Sequence, residues 1–205
     1  MPKIVDPAAR RRAVAEAVLC VVARGGLEGA SLRNVAEEAG LAVGSVRHYF
    51  ADHDELMIFT MEELGSRIGR RVREHVDALL NPAPGVDRGA RTEELLAEFL
   101  PLDDVRRQEA VLWLTFTAAA HTRPELRPYA VQLQDDMRAL MARVLKEARQ
   151  AGGLPQALDV ELESVRLAAL LDGLTLQAVL QPDRMPADLL RRIVAGHLGA
   201  LGRGA

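Results

Sequence analysis

Residues 31–50 have the sequence SLRNVAEEAGLAVGSVRHYF, in which a glycine separates two short helical patterns. Ser31 has the side chain of an N-cap residue, and Gly40 can end a helix in the left-handed conformation. The first helix is therefore expected between these two residues, and a second over about residues 42 to 50. Two short helices joined by a tight turn containing Gly are typical of a helix-turn-helix, whose second helix enters the major groove of DNA.

The second of these helices is amphipathic. One face is apolar and is expected to anchor the helix in a core through Val43, Val46 and Phe50. The opposite face and its flanks carry the candidate DNA contacts, namely Gly44, Ser45, His48, Arg47 and Tyr49. A glycine permits close approach, Ser45 and His48 can reach base edges, and the two flanking residues can reach phosphates. An ordinary surface helix would show the same spacing, so spacing alone leaves that alternative open.

The rest of the chain also carries helical patterns, and no stretch alternates as a half-buried strand does. The first helix is expected to begin at Asp6 and to end at about Gly26. Asp52 with Glu55 resembles a capping box, which predicts a long helix that runs to about Leu80. A loop with two prolines follows. Further helices are expected over about 91–101, 103–122, 124–151, 159–181 and 186–201. The predicted fold is all-α, with about nine helices: a three-helix head and a larger helical body.

Composition restricts the classes of function that the chain can have. Residues 1–53 have a slight excess of basic side chains, whereas the remaining residues are acidic overall, as expected if only the head meets phosphate. Cys20 is the single cysteine, no pair of histidines has metal-ligand spacing, and no catalytic or phosphate-binding glycine motif occurs. We therefore expect no enzyme activity, metal or cofactor. No signal peptide or membrane span is predicted, which favours the cytoplasm.

The head resembles that of the TetR family of regulators. The resemblance lies in Ser31–Leu41, Val43–Val46, His48–Phe50 and Asp54–Leu56. It implies a homodimer that binds double-stranded operator DNA through its second and third helices and a small-molecule effector through its body. By position, it adds Arg33 at the start of the second helix to the DNA contacts.

Three residues depart from the pattern of the family. Ala42 lies where a capping Ser or Thr is common, which removes an N-cap acceptor. Arg47 lies where a Tyr is common. His53 lies where a Lys usually meets phosphate, and a neutral His would weaken that contact. The basic run of residues 10–12 could offset this loss, or it could simply form a solvated helix face.

The body contains a candidate effector pocket. Trp113, Phe116 and Thr117 share one face of a helix, and an aromatic face can line a pocket or be plain core. His121 is a polar group placed to orient a ligand. The full predicted pocket comprises Phe99, Trp113, Phe116, Thr117, His121, Met137 and Leu174. Residues 171–174, residues 181–183 and the stretch Pro101–Asp103 resemble the BetI-type subgroup of the family.

The last two helices have broad apolar faces, which predict a dimer interface of two helices from each subunit. The predicted interface residues are Leu167, Leu171, Leu174, Leu190, Ile193, Val194, Leu198 and Leu201. The chain is thus predicted to have a DNA-binding domain over 1–52 and an effector-binding and dimerisation domain over 53–205. The function this predicts is a ligand-responsive regulator, most simply a repressor of a palindromic operator. The alternative is a helical ligand-binding or interaction protein without specific operator binding.

Overall fold

The computed structural model describes residues 7–80 and 87–203, which contain nine α-helices and no strand. In chain order the helices are α1 (Pro7–Gly29), α2 (Leu32–Glu38), α3 (Val43–Tyr49), α4 (His53–Leu80), α5 (Arg88–Ala97), α6 (Asp104–Thr122), α7 (Arg127–Gln150), α8 (Val160–Leu180) and α9 (Ala187–Arg203). The all-α prediction is confirmed. Asp6 and residues 81–86 of the predicted loop lie outside the described residues.

Gly26 and Gly40, the two glycines predicted to end helices, both have a left-handed backbone conformation. Gly26 has a φ of 65° and interrupts α1, which kinks there and continues to Gly29 instead of ending. Gly40 has a φ of 64° in the turn that follows α2. In that turn the Leu41 backbone N–H donates to the Ala36 carbonyl at 2.8 Å. Left-handed backbone costs a non-glycine residue roughly 1–2 kcal/mol, so Gly40 fixes the tight connection between α2 and α3.

The helix starts follow the expected caps. The Ser31 side chain accepts from the Asn34 backbone N–H at 3.2 Å, whereas Ala42, at the N-cap of α3, makes no side-chain cap. At α4 the Asp52 carboxylate accepts from the Glu55 N–H at 2.8 Å, and the Glu55 carboxylate accepts from the Ala51 N–H at 2.7 Å. This reciprocal pair fixes the direction in which α4 leaves α3.

Two later helices begin at other residues than predicted. α5 begins at Arg88 instead of 91, because the Asp87 carboxylate accepts from the Gly89 and Ala90 N–H groups and so caps the helix earlier. α7 begins at Arg127 instead of 124, with Pro128 in its first turn, where a proline is tolerated.

The chain divides into two compact units that do not follow chain order. The first comprises the described residues up to Arg67 together with Val111–Ala130. Its core includes fully buried residues of five helices and of the C-cap of α3: Val14, Val18, Val35, Val46, Phe50, Leu56 and Phe116. The second comprises Ile68–Ala110 and the described residues from Val131 onward, with a core of α4, α5, α7, α8 and α9 side chains. No helix within 7–80 and 87–203 is long and apolar enough to cross a membrane.

Candidate nucleic-acid interface

The polar face predicted on α3 is exposed, and the apolar face is buried. Val46 and Phe50 are fully buried, and Val43 is half-buried. Gly44, Ser45, Arg47 and His48 are exposed, and Tyr49 is half-buried with its ring edge-to-face against His48, at 5.3 Å between centroids. A short helix with an anchored apolar side and an accessible polar side is the arrangement that major-groove contact requires.

Contacts around α2 orient this helix pair. Ser31 caps α2, and the Asn34 side-chain amide donates to the Gly29 carbonyl at 2.8 Å. Arg33 is exposed at the start of α2. The Arg24 guanidinium hydrogen-bonds to the Glu38 carboxylate, and this contact raises the pKa of Arg24. The helix pair is therefore tied at both ends of α2 to α1.

Arg11, in the basic run of residues 10–12, packs against two aromatic rings. The Arg11 guanidinium carbon lies 5.0 Å from the centroid of Phe50 and 4.4 Å from that of Phe59. Arg11 is half-buried, so its charge is engaged by the aromatic rings that anchor α3. Arg10 is half-buried and Arg12 is exposed.

Arg123, which lies far along the chain, contacts the first two residues of α4. Arg123 Nη1 lies 2.9 Å from Asp54 Oδ1 and 3.3 Å from His53 Nδ1. The basic residues around this contact line one surface depression of the first unit. They are Arg33, Arg47, His53 and Arg123. Sequence reasoning brought the first three together as DNA contacts and missed Arg123, because no local pattern links it to a residue 70 positions earlier.

The predicted effector residues are divided between the two units. Four belong to the first unit: Phe116 is fully buried, Trp113 and Thr117 are half-buried, and His121 is exposed. Phe99, Met137 and Leu174 belong to the second unit and pack in or against its core.

The second unit contains a cavity of about 220 Å³ that none of the predicted pocket residues lines. Its apolar wall comes from α4, α7, α9 and the turn after α7: Val76, Leu79, Leu140, Val144, Leu154 and Leu198. Arg88, Arg143 and Glu147 also line it. An apolar cavity with a few charged groups is the usual form of a small-molecule site.

A buried ionic network lies elsewhere in the second unit. Arg71 on α4 donates to Glu98 Oε2 at 2.7 Å and to Glu109 Oε2 at 2.7 Å, and both glutamates are buried. His75 Nε2 lies 3.3 Å from Glu98 Oε1. Hydrogen bonding to Glu109 raises the pKa of Arg71 against the opposing effect of burial. One cation thereby satisfies two carboxylates that burial would otherwise penalise.

The expected dimer interface needs a correction. Six of its eight residues are buried in the core of a single chain: Leu167, Leu171, Leu174, Leu190, Val194 and Leu201. Ile193 and Leu198 are half-buried and pack against the same core. A side chain already enclosed by its own subunit offers no surface to a partner, so the six buried residues pack within the subunit, whereas a contact of Ile193 and Leu198 with a partner stays a prediction.

The opposite side of α8 is an apolar surface that the described residues leave exposed. Leu162, Val165, Leu176 and Leu180 have 46–67% of their surface exposed. Their spacing, with exposed Ala169 and half-buried Gly173 between them, forms one helical stripe. The carboxylate of Asp172, also half-buried on α8, accepts from the Gln134 amide at 3.3 Å.

Two family models match the chain. One, described as the tetR family of bacterial regulatory proteins, matches residues 16–58. The other, described as BetI-type transcriptional repressor, C-terminal, matches residues 88–203. The first match contains the helix-turn-helix, and the second covers more than half of the chain.

Curated relatives and solved structures agree with these models. The HTH-type transcriptional regulator PksA of Bacillus subtilis (strain 168) is 33% identical over 201 residues, which cover 98% of this chain and 94% of the relative. BetI of Escherichia coli (strain K12) is 30% identical over 205 residues, covering 97% and 98%. A crystal structure of a transcriptional regulator from Rhodococcus sp. Rha1 has a TM-score of 0.80 at 30% identity, covering 95% and 97%. A regulator from Saccharomonospora viridis in complex with choline has a TM-score of 0.76 at 19% identity, covering 94% and 97%, and shares the fold.

Proposed function

The chain belongs to the TetR family of transcriptional regulators, and from this premise we propose that it is a homodimer that binds a palindromic operator and leaves it when an effector binds. The family consists of ligand-responsive regulators, with repressors in the BetI-type group, and not of enzymes. The observation that carries the proposal is the exposed polar face of α3 above a buried apolar anchor. Because such a protein acts on the chromosome, we place it in the cytoplasm.

Each residue of the interface has a proposed role. Ser45 and His48 contact base edges, and Gly44 allows the helix to approach them. Arg33, Arg47 and Tyr49 contact phosphates, which position the helix without specifying sequence. Two copies of α3, one from each subunit, then enter successive major grooves of a palindrome.

The dimer is proposed to form through the exposed stripe of α8. Leu162, Val165, Leu176 and Leu180 are large apolar residues on one face, and an isologous interface uses the same patch from both subunits. On α9 the exposed residues Gly196, Gly199 and Ala200 are small. Small side chains would let the α9 helices of two subunits approach each other closely, so α8 and α9 together could form a four-helix interface.

This interface can be tested by the oligomeric state. Replacing Leu176 and Leu180 with Asp should give a monomer by sedimentation equilibrium and should lower operator affinity, since one half-site is then bound alone. Val105→Asp on α6 is the matched control, because Val105 is equally exposed and lies off the stripe. A double variant that stays dimeric would refute the proposed interface.

Two locations are proposed for the effector. The first is the predicted pocket around Trp113 and Phe116, and the second is the cavity lined by Leu140 and Val144. Neither requires choline, since the choline complex is a property of a neighbour at 19% identity. An effector releases DNA only if it binds the conformation that does not fit the operator more tightly. Helix α4 is the candidate element, since it passes from the first unit into the second.

The two locations are separable because Trp113 is the single tryptophan. A compound library is screened for ligands that raise the melting temperature, since a ligand that binds the native state stabilises it. A ligand that releases DNA and quenches Trp113 fluorescence supports the aromatic site. If Val144→Phe abolishes the rise in melting temperature that the ligand causes, the result supports the cavity. If no duplex shows sequence-preferring binding, the alternative of a ligand-binding protein without an operator takes its place.

A further inference from the structure

We propose that Arg123 is a DNA phosphate-binding residue, which supplies the fixed positive charge that His53 lacks at the start of α4. This inference rests on the proposed operator binding. Arg123 follows the last residue of α6 and lies within the region matched by the C-terminal family model. It nevertheless belongs to the compact unit of the helix-turn-helix. No pattern in the N-terminal domain would identify it.

The backbone of Arg123 is held in place. Its N–H donates to the Ala119 carbonyl at 2.9 Å, and its carbonyl accepts from the Leu126 N–H at 3.1 Å. Leu126 is fully buried in this unit and so anchors the turn. The side chain therefore projects from a fixed point and does not depend on a free loop end.

The guanidinium is only partly used inside the protein. Its contacts with Asp54 and His53 both involve Nη1, and 40% of the side chain is exposed. An arginine has five N–H donors in a planar fork that matches the geometry of phosphate. Within residues 7–80 and 87–203, both of these side-chain contacts use Nη1, and we assign Nε and Nη2 to the phosphate.

The charge balance of the depression depends on Arg123. Its ionisable lining residues are Arg33, Arg47, Arg123, His53, Glu28, Asp52 and Asp54. Counted without His53, the three arginines offset the three carboxylates, and removal of Arg123 leaves a net negative surface. A negative surface beside the recognition helix would repel the DNA backbone, so Arg123 makes phosphate contact possible there.

A purely structural role is the competing explanation, and it predicts a different pattern of effects. If Arg123 acted only by holding Asp54, then Arg123→Gln and Asp54→Asn would both break the same ion pair and weaken DNA binding alike. If Arg123 binds phosphate, Asp54→Asn removes a competing carboxylate and should leave affinity unchanged or higher. An ion pair this exposed contributes little to stability, so both variants should fold.

The experiment measures operator affinity by fluorescence anisotropy over a series of salt concentrations. Arg123→Gln is expected to lower affinity and to reduce the slope of log K against log salt by about 1.8, the value for two phosphate contacts, one from each subunit of the proposed dimer. His53→Lys added to Arg123→Gln should restore the slope, and Arg123→Lys should keep it. Arg138→Gln is the matched control, because Arg138 forms an exposed ion pair with Asp135 on α7 in the other unit.

The outcomes are distinct. An unchanged slope in Arg123→Gln, or an equal loss in Asp54→Asn, overturns the inference while the proposed operator binding stands. If Arg123→Gln fails to fold, as judged by circular dichroism, the sign of the Asp54→Asn effect and the slope of Arg123→Lys decide the question. If the wild-type protein prefers no duplex, the proposed function and this inference both fail.

Discussion

The uncapped start of the recognition helix gives a prediction whose size follows from the structure. Ala42 has the extended backbone of an N-cap residue, with φ −69° and ψ 142°, but no side-chain acceptor. Ser31 occupies the same position on α2, with φ −62° and ψ 150°, and accepts from the Asn34 N–H. A serine at position 42 would therefore accept from the N–H of Gly44 without a change of backbone, since the Ser45 N–H already donates to the Ala42 carbonyl at 2.9 Å.

The expected magnitude is that of one cap. Exchange between Ala and Ser at an N-cap position is worth about 1 kcal/mol. For a chain of 205 residues this corresponds to about 2–4 °C in melting temperature. Ala42→Ser should stabilise the protein by this amount and Ser31→Ala should destabilise it by a similar amount. Both positions are exposed, so the two changes leave core packing intact.

The assay is urea unfolding followed by the fluorescence of Trp113, which lies in the same compact unit as α2 and α3. The double variant should return to wild-type stability, since the two caps share no partner and their effects should add. Ala42→Val is the control, because valine adds volume without an acceptor and should not stabilise. A stabilisation by Val equal to that by Ser, or no gain from Ser while Ser31→Ala costs stability, would refute the capping argument.

Two further predictions concern stability. Gly40→Ala should cost roughly 1–2 kcal/mol in urea unfolding, because an alanine at a φ of 64° is strained; a loss below about 0.5 kcal/mol would indicate that the turn relaxes. Arg71→Met should cost about 3–5 kcal/mol, because it removes the cation that lies 2.7 Å from a carboxylate oxygen of each of two buried glutamates, Glu98 and Glu109. Since the pKa of Arg71 is raised on folding, its contribution is complete at neutral pH and is lost only as strong alkali deprotonates it. A pH-stability profile of the wild type should therefore show no Arg71-dependent step near neutrality, and a step there would contradict this.

Local signals made most of the fold predictable. The Ser31 cap, the Gly40 turn and the Asp52–Glu55 pair each act within a few residues, and the structure contains all three. The N-cap of α5 was not predicted. Asp87 lies at the end of a stretch that reads as a loop, and its capping role is seen only when the first turn of α5 is in place. Helix boundaries therefore depended on whether each cap was recognised.

Contacts between distant parts of the chain were beyond sequence reasoning. The leucines of α8 fall on two faces, and periodicity cannot tell which face its own subunit covers. The structure buries Leu167 and Leu171 and exposes Leu176 and Leu180. Arg123 illustrates the same limit, since its approach to His53 depends on how α6 folds back within the first unit.

The specificity ratio of the α3 variants tests the account most directly. Affinity is measured for an operator selected from random duplexes and for a scrambled duplex at one salt concentration. Ser45→Ala and His48→Ala should bring the two affinities together, because each base contact is worth about 1–3 kcal/mol of discrimination. Arg47→Gln should lower both affinities by a similar factor and keep their ratio. If Ser45→Ala and His48→Ala left the ratio unchanged, α3 would not be the helix that reads the operator.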